Sequence, residues 1–164
     1  VKGKKIRIIG SPVMQDFWKE IGAGPTAMPL SEVYTSLQTG VIDGVDIDLD
    51  ALVTEKYYEN AKYLTITNQM TFPAVVVMSK QKFDSLSPED QEIVKKAIQA
   101  ACDWGVNEAI ARETKNLETL KSAGVQVHQL EQLGDFEKAA KKIQEKYANE
   151  SPVIKKFLEE ALQK

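Results

Sequence analysis

Cysteine, histidine and long apolar runs are nearly missing from this sequence. Its 164 residues include one cysteine, Cys102, and one histidine, His128. An internal disulfide is therefore excluded, and a cysteine- or histidine-based catalytic triad is not indicated. No apolar run approaches the ~18 residues that a membrane-spanning helix needs. Basic excess is also lacking: 21 Lys and Arg are interspersed with 24 Asp and Glu, which argues against a nucleic-acid partner.

What is present resembles an ordinary folded domain. Hydrophobic residues make up 43% of the chain and charged residues 27%, and the length suits one domain with a real core. The sequence begins with Val1 instead of Met, which suggests a processed or truncated product. The absence of a visible signal peptide then says nothing about compartment. No motif indicates a cofactor.

The stretch from Met28 to Leu49 reads as one compact unit. Ser31 is predicted to cap a helix that starts at Glu32, and Gly40 supplies the left-handed conformation that ends helices. One face of this helix is apolar and is predicted to be buried. That face carries Val33, Tyr34 and Leu37.

A strand is predicted directly after this helix, over residues 41–46. In an α/β layer it places Asp46 and Asp48 near the carboxyl edge of the sheet, where such folds bind ligands. The run Asp46, Asp48, Asp50 resembles the start of a calcium loop, but Ala51 and Tyr57 stand where the loop needs glycine and glutamate. The interpretation without a ligand is that Asp48 or Asp50 caps the next helix.

The remaining pattern alternates strands and helices, which predicts an α/β fold with a mostly parallel sheet flanked by helices. Strands are expected at 5–9, 26–28, 63–67, 73–78 and 125–127, and helices at 12–21, 49–60, 88–122, 136–147 and 152–163. The apolar run 73–78 is typical of a central strand buried on both faces. Trp18, Trp104 and Cys102 lie on apolar helix faces and are assigned to the core.

The predicted helix from Pro88 to about Ser122 is unusually long. At 1.5 Å per residue, ~34 residues reach about 50 Å, more than one small lobe needs. Its apolar positions do not keep a heptad, which argues against a coiled coil. We interpret it as a helix that links two bodies.

Arg7 lies inside an apolar strand, where an unpaired guanidinium is costly. Its planar fork must therefore reach a cleft and bind a carboxylate ligand, or form an ion pair with a carboxylate of the protein. The residues alone leave both alternatives open.

Three segments together resemble one protein family. They are VKGKKIRI (residues 1–8), PLSEVYTSLQTGVIDG (29–44) and KYYENAKYLTITNQ (56–69). They are similar to the substrate-binding proteins of tripartite ATP-independent periplasmic (TRAP) transporters, the DctP-like family. The resemblance implies a periplasmic-binding-protein-like lobe outside the cytoplasm that binds a small organic acid, delivers it to membrane permease subunits and catalyses no reaction.

The resemblance also implies a domain division and a set of ligand-binding residues. Residues 1–72 and 122–164 would form the second lobe, and residues 73–121 an inter-lobe strand and helix whose apolar surface, with the first lobe absent, favours self-association. The ligand-binding positions would be Arg7, Leu30, Asp46, Ile47, Asp48 and Asn68.

Each of these positions follows from a match or a departure. Arg7 matches the family's carboxylate-binding arginine, and Asn68 lies in the matching Thr-Asn-Gln sequence. Ile47 stands where the family often has a ligand-binding asparagine, and Leu30 where it often has phenylalanine. Asp46 and Asp48 add negative charge beside Arg7, which is unusual for a simple carboxylate site.

Two rival interpretations belong to other classes. One is a small hydrolase or phosphatase in which Asp46 attacks and Asp48 acts as the acid. The other is an inactive structural fragment. Metal-dependent turnover of a phosphate ester would distinguish the hydrolase from both alternatives.

Overall fold

The computed structural model describes residues 1–71 and 74–162. Five strands are present in this part: β1 (Lys5–Ile8), β2 (Gly24–Ala27), β3 (Gly44–Val45), β4 (Tyr63–Ile66) and β5 (Gln126–Gln129). The α-helices are α1 (Pro12–Glu20), α2 (Leu30–Gln38), α3 (Leu49–Thr54), α4 (Lys80–Asp84), α5 (Pro88–Ser122), α6 (Asp135–Glu150) and α7 (Pro152–Leu162). A 3-10 turn covers Tyr57–Glu59. None of the described helices is both long enough and apolar enough to cross a membrane.

All strand pairs are parallel, which confirms the predicted α/β class. The first sheet has the order β2-β1-β3, with Ile6 opposite Pro25 on one side and Gly44 on the other. The second sheet pairs β4 with β5, with Leu64 opposite Val127. Strand β1 is central in its sheet, and its last three residues are buried. Arg7 therefore has a paired strand on each side, with Thr26 of β2 and Val45 of β3 as its partners.

Two apolar clusters form the core. The first packs β1 against α1 and α6 and includes Ile8, Trp18 and Ala139. The second gathers Val33 of α2, Tyr57 and Leu120 of α5. The apolar face predicted for α2 is confirmed, since Val33 is fully buried. Gly40 has a φ of 72° just after α2, as predicted for the residue that ends the helix.

Side-chain caps start α1, α3 and α5 but not α2 or α6. Ser11, Asp48 and Ser87 accept hydrogen bonds from the first turns of α1, α3 and α5. The prediction that Ser31 caps a helix starting at Glu32 is wrong. Helix α2 begins at Leu30, and Pro29, in extended conformation, occupies the cap position without a side-chain bond. Because the helix starts earlier, Ser31 lies inside its first turn.

Several predicted boundaries are also corrected. Strand β3 covers only Gly44–Val45. The helix predicted for 49–60 ends at Thr54, because Lys56 takes a left-handed conformation with φ 55°. The predicted buried strand at 73–78 is wrong over residues 74–78, which form no strand. Val75 is 82% exposed and Val77 84%; Pro73 lies outside the described residues.

The long helix is confirmed, and α5 contains 35 residues. It packs against α3, and the buried side chains along it are Asn116 and Leu120. The core assignments of Trp104 and Cys102 are wrong, since Trp104 is 65% exposed and Cys102 is exposed. Their helix face is apolar, but it extends past the two clusters that could bury it. Trp18 is buried as predicted.

Candidate ligand-binding site

A cleft with a volume of about 670 Å³ lies where strands of both sheets end, beside helix α5. The polypeptide leaving β1, β3 and β4 lines one side, and residues of α5 line the other. All six residues predicted to bind a ligand line this cleft: Arg7, Leu30, Asp46, Ile47, Asp48 and Asn68. The structure therefore brings together positions that lie far apart in the sequence. That they contact a ligand stays a prediction.

Arg7 is held rigidly at the base of the cleft. Its side chain is 1% exposed, and Nε and Nη2 donate to the carbonyl oxygen of Met28 at 3.1 and 2.9 Å. Nη1 is buried and has no hydrogen-bond partner in the described part of the chain. Burial lowers the pKa of Arg7, with Tyr57 and Asp46 acting in the opposite direction, and an arginine stays protonated in proteins. A buried guanidinium with one unused N–H donor is suited to bind an anionic group of a ligand.

The alternative of a structural ion pair can be compared with the neighbouring carboxylates. Asp43 accepts from the backbone N–H of Lys5 at 2.8 Å and lies 3.8 Å from Lys4 Nζ. Asp46 Oδ2 accepts from Trp18 Nε1 at 2.7 Å and from Gln69 Nε2 at 3.1 Å. Both carboxylates therefore have other partners than the Arg7 guanidinium.

Asp46 is half-buried between the core and the cleft. Burial is the largest influence on its carboxyl group and raises the pKa, while the bonds from Trp18 and Gln69 and the charge of Arg7 lower it. Both donated bonds go to Oδ2, and Oδ1 has no bond to the described residues. Asp46 thus presents one carboxylate oxygen that is still able to accept a hydrogen bond.

Asp48 and Asp50 have structural duties at the same edge. Asp48 Oδ1 accepts from the backbone N–H of Ala51 at 2.8 Å, which confirms the interpretation that it caps the next helix. Asp50 Oδ1 accepts from Asn116 Nδ2 at 3.3 Å and lies 3.8 Å from Arg112 Nη1. These contacts fasten α5 to α3.

The other predicted positions shape the wall of the cleft. Ile47 is half-buried, and Leu30 is 41% exposed while its carbonyl oxygen accepts from Tyr57 Oη at 2.8 Å. Asn68 has a φ of 47°, a left-handed conformation that asparagine tolerates better than most residues. It turns the chain just after β4.

Sequence reasoning missed the contribution of α5 to this cleft. Trp104, Glu108, Arg112 and Asn116 follow one another at four-residue spacing and all line it. The spacing was visible in the sequence, but the helix pattern does not say which sheet edge the helix approaches. Gln69 was also missed, although it belongs to the matching Thr-Asn-Gln sequence.

The geometry does not favour hydrolysis. Asp46 is bound by a buried indole, and Asp48 is occupied at a helix terminus. Among residues 1–71 and 74–162, no three His, Cys, Asp or Glu side chains are grouped so as to hold a metal ion.

The profile of the family "Bacterial extracellular solute-binding protein, family 7" (DctP) matches residues 1–151. Two curated relatives are similar in sequence. The 2,3-diketo-L-gulonate-binding periplasmic protein YiaO of Escherichia coli is 36% identical over 77% of this chain and 39% of its own length. The ectoine-binding periplasmic protein TeaA of Halomonas elongata is 34% identical over 88% of this chain and 43% of its own length.

A solved structure agrees with these sequence matches. It is a TRAP periplasmic solute-binding protein from Bradyrhizobium sp. BTAi1 in complex with α/β-D-galacturonate. It superposes with a TM-score of 0.92 and 32% identity over 99% of this chain and 54% of that chain.

The chain belongs to the DctP family of solute-binding proteins, which confirms the resemblance seen in the sequence. Members of this family are substrate-binding proteins of TRAP transporters and not enzymes. The chain spans about half the length of these relatives.

Proposed function

We propose that this chain is part of the periplasmic solute-binding component of a TRAP transporter, which binds a small organic acid and delivers it to permease subunits in the membrane. The observation that carries the proposal is Arg7. Its guanidinium is buried in the cleft with Nη1 unpartnered among the described residues. Such a group is costly in a protein that binds nothing there and favourable in one that binds a carboxylate.

We propose further that residues 1–72 and 122–164 form the second lobe of a two-lobed protein, with 73–121 as inter-lobe elements. The length of the relatives supports this division, and so does the distribution of exposed apolar side chains. Within residues 73–121, Val75, Val77, Ile93 and Ile110 are each more than half exposed. A first lobe would cover the exposed surface and close the cleft over the ligand.

Enclosure has a consequence for affinity. A charge pair left in water contributes about 0–1 kcal/mol, while hinge closure between two lobes removes the ligand from water. The isolated chain is therefore expected to bind its acid weakly although Arg7 is in place.

The proposal is tested on the complete protein, the chain together with its first lobe. Protein purified without refolding is examined by native mass spectrometry for a retained acid. D-galacturonate, 2,3-diketo-L-gulonate and ectoine are then titrated by calorimetry. Arg7→Lys removes the fork and should weaken binding by roughly 1.5–3 kcal/mol. Arg112→Lys changes an exposed arginine of the same cleft that already pairs with Glu108 at 3.1 Å, and affinity should stay close to wild type.

Melting temperatures are followed in parallel, because Arg7 also bonds to Met28. Arg7→Ala leaves the Met28 carbonyl without its donor and should lower stability as well as affinity. Unchanged affinity in Arg7→Lys together with a large loss of stability would assign Arg7 a structural role and overturn the proposal.

A further inference from the structure

The cleft has one buried position that can bind an anionic group, and most of its other charged residues are acidic. The acidic residues that line it are Asp46, Asp48, Asp50, Glu108 and Glu113, and the basic residues are Arg7 and Arg112. Arg112 is already engaged by Glu108 and Asp50. Two carboxylates therefore already balance the charge of the exposed Arg112, whereas in the part of the chain that the structure describes Nη1 of Arg7 is a buried cationic donor without a hydrogen-bond partner. One carboxylate of a ligand has a partner here, and a second would lie among carboxylates.

Asp46 is the acidic residue best placed to select what accompanies that carboxylate. Its Oδ2 is fixed by Trp18 and Gln69, so the group cannot rotate freely. Its Oδ1 carries no bond to the described residues, and the side chain lines the cleft together with Arg7. Neighbouring Ile47 offers no side-chain donor or acceptor. A fixed carboxylate oxygen attracts a hydroxyl donor and repels an anion.

From this arrangement we infer that Asp46 is a specificity-determining residue that accepts a hydrogen bond from a ligand hydroxyl, so that the cargo is a hydroxylated monocarboxylate and not a dicarboxylate. The inference rests on the proposed function, since it takes Arg7 as the residue that binds the ligand carboxylate. It adds the chemical class of the remainder of the ligand.

Asp48 provides the contrast within the same loop. Its Oδ1 is used by the cap of α3, and the residue is exposed, so its charge faces water that screens it. If the total negative charge of the cleft governed ligand selectivity, neutralising Asp46 or Asp48 would have the same effect. If a positioned hydrogen-bond acceptor governs it, only the change at Asp46 alters selectivity.

The test compares acids that differ in one terminal group. Calorimetry on the complete protein measures D-gluconate against D-glucarate and D-galactonate against D-galactarate, in which a terminal CH₂OH is replaced by a carboxylate. Hydrogen bonds to charged groups contribute on the order of 10- to 100-fold in affinity. The wild type should therefore favour a monocarboxylate by about tenfold or more. Asp46→Asn, similar in shape but uncharged, should lose that preference, whereas Asp48→Asn keeps the cap and should retain it.

Each outcome decides a separate question. Equal or tighter binding of the dicarboxylates by wild type, failure of every hydroxylated monocarboxylate to bind, or equal effects of Asp46→Asn and Asp48→Asn would overturn the inference. Loss of binding in Arg7→Lys with unchanged selectivity in Asp46→Asn overturns this inference alone. Unchanged binding in Arg7→Lys overturns the proposed function.

Discussion

Trp18 Nε1 donates a hydrogen bond to Asp46 Oδ2 at 2.7 Å. This contact joins a residue in the last turn of α1 to the residue that follows β3. Trp18 is 6% exposed, and its ring meets Phe17 and Phe136 edge to face, with centroids 5.9 and 6.0 Å away. The orientation of a carboxylate in the cleft is therefore set by the aromatic core.

Trp18→Phe should destabilise the chain by roughly 1.5–3 kcal/mol, because it removes a donor to a half-buried carboxylate and part of a packed ring. Urea unfolding followed by circular dichroism measures the change. Trp104→Phe is the matched control. Trp104 is 65% exposed, and surface substitutions usually stay within about ±0.5 kcal/mol. Equal losses in the two variants would contradict the assignment of Trp18 to the support of Asp46.

Asp46 also predicts how stability depends on pH. Burial raises the pKa of Asp46, so the folded state holds its proton at pH values where the unfolded chain, with a carboxyl pKa of about 3.9, has released it. In that window stability falls as pH rises, and above it the cost is constant. Asp46→Asn lacks this cost. Its melting temperature relative to wild type should rise from pH 4 to pH 7, as scanning calorimetry can show; a relative fall would contradict the raised pKa.

In the isolated chain, shortening an apolar side chain of helix α5 to alanine should reduce stability only near the carboxyl end of the helix. Leu120 is fully buried, and Ile110 is 65% exposed on the same helix. Leu120→Ala should cost about 2–5 kcal/mol in the isolated chain, since it opens a cavity in the second apolar cluster, while Ile110→Ala should stay near zero. In the complete protein Ile110→Ala should become costly, because the first lobe would cover it. Chemical unfolding of the four proteins makes the comparison, and no change at Ile110 between the two contexts would count against a covering lobe there.

The isolated chain should self-associate through the exposed residues 75–77. An apolar surface of this kind promotes contact with a second copy. Sedimentation velocity at micromolar concentration should show a species larger than the monomer, and Val75→Ser with Val77→Ser should reduce it. Val153→Ser serves as the control, because Val153 is 78% exposed at a distant place in the sequence, on α7. A strictly monomeric wild type would rule out this contact.

Local signals in the sequence predicted much of the fold. Asp48 was recognisable as a candidate cap of α3 because a cap acts within one turn. The apolar run near Val75 shows the limit of such signals. An apolar pattern indicates that a segment will be covered, but the body that covers it is not part of the pattern. Trp104 and Cys102 were assigned to the core for the same reason.

The candidate site divides in the same way. Arg7 could be singled out because a charge inside an apolar strand requires a partner. Its bonds to Met28, and the bond from Trp18 to Asp46, connect residues that are distant in the sequence, so no local pattern indicates them. The approach of α5 to the cleft was unpredictable for that reason too, since it depends on Asp50 and Asn116 meeting in space.

The parallel pairing of β4 with β5 has a consequence for how the chain folds. The two strands are adjacent in the sheet, yet the whole of α4 and α5 lies between them in the sequence. Closing a loop of that length as a flexible coil has an entropic cost that grows with the logarithm of the loop length. A helix formed beforehand replaces much of that coil by a rigid rod, and helices form faster than long-range strand pairs. We expect α5 to become ordered first, and the second sheet to close late in the folding reaction.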